Sequence, residues 1–151
     1  MAKVIIIYES KYGNTRQVAQ TIGEGIREGQ KNEVNMLELG DVDLNIIDDY
    51  AVVLIGSPNH IGSPTRGIKK FIEKLGKQDL KEKQVAVFDT CFTGDYEKAV
   101  KRMEEEIRKK APGLQLLQPG LSIIVKGMKG PPVDGEIDKC RNFGIKLGTL
   151  I

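Results

Sequence analysis

The sequence predicts an α/β fold: an open, doubly wound parallel sheet with helices on both faces. Three observations carry this reading. Strand-like runs and helix-spaced segments alternate five times along the 151 residues. The strand runs are almost wholly apolar, as expected where both faces of a strand are buried. The segments between them place apolar residues three and four apart, one stripe per helix. Right-handed crossovers then wind the chain into one sheet.

The elements follow in order. Lys3 to Tyr8, with Val4-Ile5-Ile6-Ile7, is a first buried strand. Val18, Ala19, Ile22 and Ile26 stripe a first helix. Glu33 to Glu38 is a more polar second strand, which suits an edge. Tyr50 to Ile55 is a third strand. Ile68, Phe71, Ile72 and Leu75 stripe a second helix, with Pro64 expected in its first turn behind Ser63. Gln84 to Phe88 is a fourth strand, and Ala99, Val100, Met103 and Ile107 mark a third helix. Leu121 to Val125 is a fifth strand. Val133, Ile137, Cys140, Gly144 and Leu147 mark a fourth helix, with Asp134, Glu136 and Asp138 near its positive dipole end.

Composition narrows the function classes. The length suits one domain, 1–151, with a single core. The 23 basic and 21 acidic residues give a net charge of +2, too even to point to nucleic acid. No apolar run approaches the roughly 20 residues that span a bilayer. The N-terminal apolar run is too short for a signal-peptide core, so a cytoplasmic location is the expectation. Cys91 and Cys140 make neither a disulfide framework nor a zinc site and read as separate thiols. Cys140 falls on a helix stripe, as a core thiol would.

In a doubly wound sheet, ligands bind beyond the C-terminal strand ends, at the switch in strand order. Three loops are therefore informative. Glu9 to Thr15 runs straight into a helix. Ser10, Asn14 and Thr15 offer polar side chains, Gly13 permits a tight turn, and the helix start adds orphan N–H groups. That suits a phosphate, although neither the Walker spacing nor the Gly-x-Gly-x-x-Gly pattern is present. A plain turn capped by Asn14 or Thr15 is the other reading. Gly56 to Pro64 is a loop stiffened by two prolines and exposes the only histidine, His60. Asp89 to Tyr96 offers backbone amides, and Phe92 and Tyr96 either cover a flat heterocycle or pack under the loop. Asp95 reads as an N-cap.

Taken together, these loops resemble flavodoxins. Tyr8-Glu9-Ser10-Lys11-Tyr12-Gly13-Asn14-Thr15 is similar to the flavodoxin phosphate loop. Gly56-Ser57-Pro58 followed by Gly62 is similar to the second loop of the flavodoxin domains of flavodiiron proteins and of flavodoxin-like quinone oxidoreductases. Val85 to Asp89 and Val125-Lys126-Gly127 extend the likeness over nearly the whole chain.

The resemblance implies a five-stranded sheet of order 2-1-3-4-5 and a bound FMN. Ser10, Lys11, Tyr12, Gly13, Asn14 and Thr15 would wrap its phosphate. Pro58, Asn59, His60, Ile61 and Gly62 would lie against one side of the isoalloxazine near N5. Thr90, Cys91, Phe92 and Tyr96 would meet its other side and pyrimidine edge. Electron transfer between redox partner proteins follows, with no catalytic side chain, no metal, no membrane and a monomer or weak homodimer. An FMN-dependent NAD(P)H:quinone or flavin reductase is the alternative, and a flavin-free interaction module is a third reading. Lys11 and Tyr12 stand where flavodoxins usually carry hydroxyls, and His60 stands where many carry Trp.

Overall fold

The computed structural model describes residues 2–28 and 32–151. Its strands are β1 (Lys3–Tyr8), β2 (Glu33–Glu38), β3 (Val52–Pro58), β4 (Gln84–Cys91), β5 (Gln115–Leu116) and β6 (Leu121–Ile124). Its helices are α1 (Asn14–Arg27), α2 (Arg66–Leu75), α3 (Lys98–Lys110) and α4 (Glu136–Leu150). All strand pairs are parallel, in the order β2-β1-β3-β4-β5, with β6 also on β4.

The expected order is therefore present, with one correction. The fifth lane of the sheet is split. β5 pairs with Gln84 and Val85, and β6 pairs with Phe88 to Cys91. Gly120 lies between them, packed so closely on Val87 that a Cβ there would sit 2.7 Å from the Val87 carbonyl oxygen. The third and fourth strands also run further than their apolar letters suggest. Ser57 stays in register with Asp89, and Pro58 with Thr90. Polar residues extend these strands because the parallel ladder continues past the apolar core.

Strand alternation divides the core in two. Ile5, Ile7, Val53, Ile55, Val85 and Val87 pack on the stripes of α2 and α3. Val4, Ile6, Val52, Leu54, Ala86 and Phe88 pack on α1 and α4, with Cys140 in that layer. The first three helix stripes are buried as read. The helix starts differ. Thr65 caps α2 by accepting the Ile68 N–H at 3.2 Å, so Pro64 lies outside the helix. α4 begins at Glu136, so Val133 and Asp134 precede it. Among the described residues, no helix is long and apolar enough to cross a membrane.

Candidate functional site

The loops after β1, β3 and β4 meet at the C-terminal edge of the sheet and enclose a cleft of about 590 Å³. The position is where a doubly wound sheet places ligands, because β1 and β3 send their connections to opposite sides there.

The first wall is the turn into α1. Ser10, Lys11, Tyr12, Asn14 and Thr15 line the cleft. The helix cap is Gly13, in the left-handed region at φ 95°, with no capping side chain. The Gly13 N–H does not face a ligand, because it donates to Ser10 Oγ at 3.1 Å. Ser10 Oγ also faces the Arg16 N–H at 3.4 Å. Ser10, rather than the Asn14 or Thr15 of the plain-turn reading, thus supplies the acceptor, and its own proton stays free to donate. The first-turn N–H groups of Asn14 and Thr15 have no intrahelical carbonyl to reach, so the helix end favours an anion. The Lys11 ammonium lies over the Tyr12 ring, 5.4 Å from its centroid.

Thr15 and Thr90 form the floor. Their hydroxyls are 3.0 Å apart and nearly buried. One donates to the other, so one hydroxyl proton remains for a cleft ligand.

The second wall is Pro58 to Ile61. His60 and Ser63 bond each other in both directions, His60 N–H to Ser63 at 2.7 Å and Ser63 N–H to His60 at 3.1 Å. The two residues between them, Ile61 and Gly62, have φ of 51° and 76°. Positive φ at both central residues is the signature of a tight type I′ hairpin. Gly62 takes it freely, whereas a β-branched side chain at positive φ is strained. Ile61 is also fully exposed. Ser57, buried behind this loop, accepts the Thr65 N–H at 3.0 Å and donates to the Pro58 carbonyl at 2.9 Å.

The third wall is Thr90, Cys91, Phe92 and Asp95. Asp95 does not cap a helix: α3 starts at Lys98, and its cap residue, Glu97, uses no side chain. Instead the Asp95 carboxylate accepts from Asn59 Nδ2 at 2.8 Å and from Lys98 Nζ at 3.1 Å. The Lys98 ammonium beside it holds Asp95 below the usual carboxylate range. The Asn59–Asp95 bond joins the second and third walls. The other amide atom, Asn59 Oδ1, is buried and without a partner among the described residues.

Three lining residues, Asp95, Val125 and Met128, lie outside the set that the sequence predicts, and the last two come from the segment after β6. That segment folds back, Lys126 N–H to Pro131 at 2.9 Å and Val133 N–H to Ile124 at 2.9 Å. Asn14 Nδ2 donates to the Met128 carbonyl at 3.1 Å and pins it to the first wall. The Val125-Lys126-Gly127 segment resembles its flavodoxin counterpart in sequence, but only the fold brings Val125 and Met128 to the cleft. Gly13, Gly62 and Tyr96 do not line the cleft. Tyr96 turns its ring to Lys139 of α4, whose Nζ is 5.4 Å from the ring centroid.

Cys91 is almost fully buried, and burial pushes its thiol up to about 11. It lines the cleft as a neutral group. The arrangement as a whole sets the N-terminal end of α1 at one end of a slot lined by Tyr12, Pro58, Ile61, Phe92 and Met128.

Comparisons with known proteins agree with this geometry. A family model described as "Flavodoxin domain" matches residues 5–127. The chain is 31% identical over 89 residues to a flavodoxin of Clostridium saccharobutylicum, covering 59% of this chain and 56% of that protein. It is 28% identical over 149 residues to the type A flavoprotein fprA of Rhodobacter capsulatus, covering 95% of this chain and 32% of that protein. The chain thus spans about half or less of the length of these relatives. It is also 28% identical to the probable flavodoxin 2 of Bacillus subtilis, covering all of both chains. Among solved structures, an archaeal flavodoxin superposes with a TM-score of 0.83 at 26% identity, covering 98% of this chain and 97% of that one. Flavodoxin 2 of Bacillus cereus gives 0.83 at 29% identity, covering 99% of this chain and 100% of that one. With its strand order, its cleft and a family match over most of its length, the chain belongs to the flavodoxin family.

Proposed function

We propose that residues 1–151 form one FMN-binding domain that carries electrons between partner proteins. The observation that carries the reading is a slot lined by apolar side chains with the start of α1 at one end. Its volume of about 590 Å³ falls in the range of small-molecule sites.

The residues present fit the cofactor. Two unmated first-turn N–H groups, the free Ser10 proton and the spare Thr15–Thr90 proton suit a phosphate. The orphaned Asn59 Oδ1 suits an N–H donor on a heterocycle, since a buried acceptor left unpaired costs about 1–3 kcal/mol. Tyr12, Pro58, Phe92 and Met128 supply flat or polarizable apolar contact. When bound, the flavin supplies the one- and two-electron chemistry.

The chain's part is to bind, orient and shield. Ser10, Lys11, Tyr12, Asn14 and Thr15 would hold the phosphate end, with Gly13 shaping the turn behind them. Pro58, Asn59, His60 and Ile61 would border one side of the ring, with Gly62 behind them in the hairpin, Thr90, Cys91 and Phe92 on the other side and Tyr96 further out. The Ile61–Gly62 hairpin can offer a backbone group to the ring edge, and Gly62 gives that peptide freedom to turn. The exposed Ile61, Phe92 and Met128 at the rim are apolar surface a partner can cover. A cytoplasmic setting suits such a carrier.

The flavodoxins among its relatives support a carrier over a reductase. The test is FMN uptake followed by absorbance and flavin-fluorescence quenching, then dithionite titration. The expected result is a yellow protein that bleaches reversibly and oxidises NAD(P)H with quinone only slowly. A chain that takes up no FMN overturns the reading.

A further inference from the structure

Asp89 is a fully buried carboxylate on β4, one residue before Thr90 and two before Cys91. Ser122 Oγ donates to its Oδ1 at 2.6 Å, and the Val100 N–H donates to its Oδ2 at 2.9 Å. Ser122 Oγ itself accepts the Glu97 N–H at 2.9 Å. Val100 lies in the first turn of α3, whose cap residue Glu97 has φ 66° and no side-chain cap. The helix start is therefore capped from a neighbouring strand. The chain from Phe92 to Asp95, the outer part of the third wall, hangs between these tethers and β4.

No cation meets this carboxylate among the described residues. On α3, Lys98 is paired with Asp95 and Lys101 with Glu97. On α4, Lys139 is paired with Glu136, which itself accepts the Ile124 N–H of β6 at 2.8 Å. The neighbour in register on β3 is the neutral Ser57. Cys91 is the titratable group of the network, with Sγ 3.4 Å from Ser122 Oγ. The Ser122 and Val100 hydrogen bonds and the dipole of α3 favour the charge, and burial opposes it more strongly.

The network also has a complete neutral form. A proton taken from solvent onto Asp89 Oδ1 lets that O–H donate to Ser122 Oγ. Ser122 then turns its proton to Cys91 Sγ, and the Cys91 S–H donates to the Ile123 carbonyl, 3.7 Å away. Oδ2 keeps the Val100 N–H. No bond to carbon changes, and no polar group loses its partner.

We propose that Asp89 is a positioning residue for the third wall and takes up a proton when an anionic flavin fills the cleft. The proposal rests on the FMN reading. A phosphate and a buried carboxylate repel through the protein interior, so occupancy favours the neutral acid. The coupling is reciprocal: the ionised carboxylate weakens FMN binding by the factor that FMN shifts its proton equilibrium. Burial already pushes Asp89 up to about 6, so a modest further push changes its charge near neutrality.

The experiment has two arms. The first follows the carboxyl 13C shift of Asp89 against pH in the FMN-free chain and again with saturating FMN. The expected result is titration near pH 6, moved up by about one unit, a tenfold change in proton affinity, when FMN binds. The second compares FMN dissociation constants of the native chain and Asp89→Asn from pH 5 to pH 8, where the variant cancels the titration of the FMN phosphate itself. The native value is expected to rise about tenfold relative to the variant. A carboxyl that stays ionised down to pH 4, or one unmoved by bound FMN, overturns the proposal. Equal pH profiles in the second arm overturn it as well. No FMN uptake at all overturns the function and the coupling together, and is told apart by unquenched flavin fluorescence.

Discussion

The Thr15 and Thr90 hydroxyls, 75 residues apart in sequence, meet at 3.0 Å on the cleft floor and join the start of α1 to the end of β4. The contact ties the anion end of the cleft to its third wall. Thr15→Val is expected to weaken FMN binding about tenfold, the loss of one charge-assisted hydrogen bond, while stability changes by about 1 kcal/mol. Fluorescence titration and urea unfolding read the two effects. Thr15→Val with Thr90→Val in a double-mutant cycle should show coupling between the sites.

The hairpin tip separates strain from packing. A Cβ on Gly62 would meet Lys98 Cδ at an ordinary 3.6 Å, so only its φ of 76° opposes a side chain. Gly62→Ala is expected to cost about 1 kcal/mol in urea unfolding. Ile61→Gly should be neutral or stabilising by up to about 1 kcal/mol, since it releases left-handed strain and no packing.

Helices α1 and α4 cross backbone to backbone through glycines. A Cβ on Gly25 would run into the Arg141 carbonyl, and one on Gly144 into the Ile22 carbonyl. Either glycine to alanine should destabilise the protein by about 2 kcal/mol despite better helix propensity. Thermal melts read the loss.

Both thiols should resist alkylation while the protein is folded. Burial pushes Cys91 up to about 11 and Cys140 up to about 12. Reaction depends on the thiolate. At pH 8, iodoacetamide is expected to label neither residue in the native chain and both in urea, as read by mass spectrometry.

Asp89 gives the folded protein a pH slope. Its carboxyl rises from 3.8 to about 6 on folding, so the native state holds the proton more tightly than the unfolded chain. That contribution is fully present below about pH 4 and is lost as pH rises through about 6. The loss is on the order of 3 kcal/mol. Urea unfolding of the FMN-free protein from pH 4 to pH 7 should show this slope, and Asp89→Asn should flatten it.

Local patterning along the chain makes the strands, the helix stripes and the order of the three loops legible. Periods of two and of three to four residues are local properties, and burial enforces them. Val4 to Ile7 and the α1 stripe were legible for that reason. The tertiary structure alone decided what those loops do to one another. The split fifth lane, the Asn59–Asp95 bond, the arrival of Met128 at the cleft, and Asp89 capping α3 all join residues brought together by register and crossover. Their partners carry no local signature. A buried carboxylate such as Asp89 reads in sequence as the first residue of a loop. It becomes the end of a strand only because the ladder to Ser57 continues beneath it.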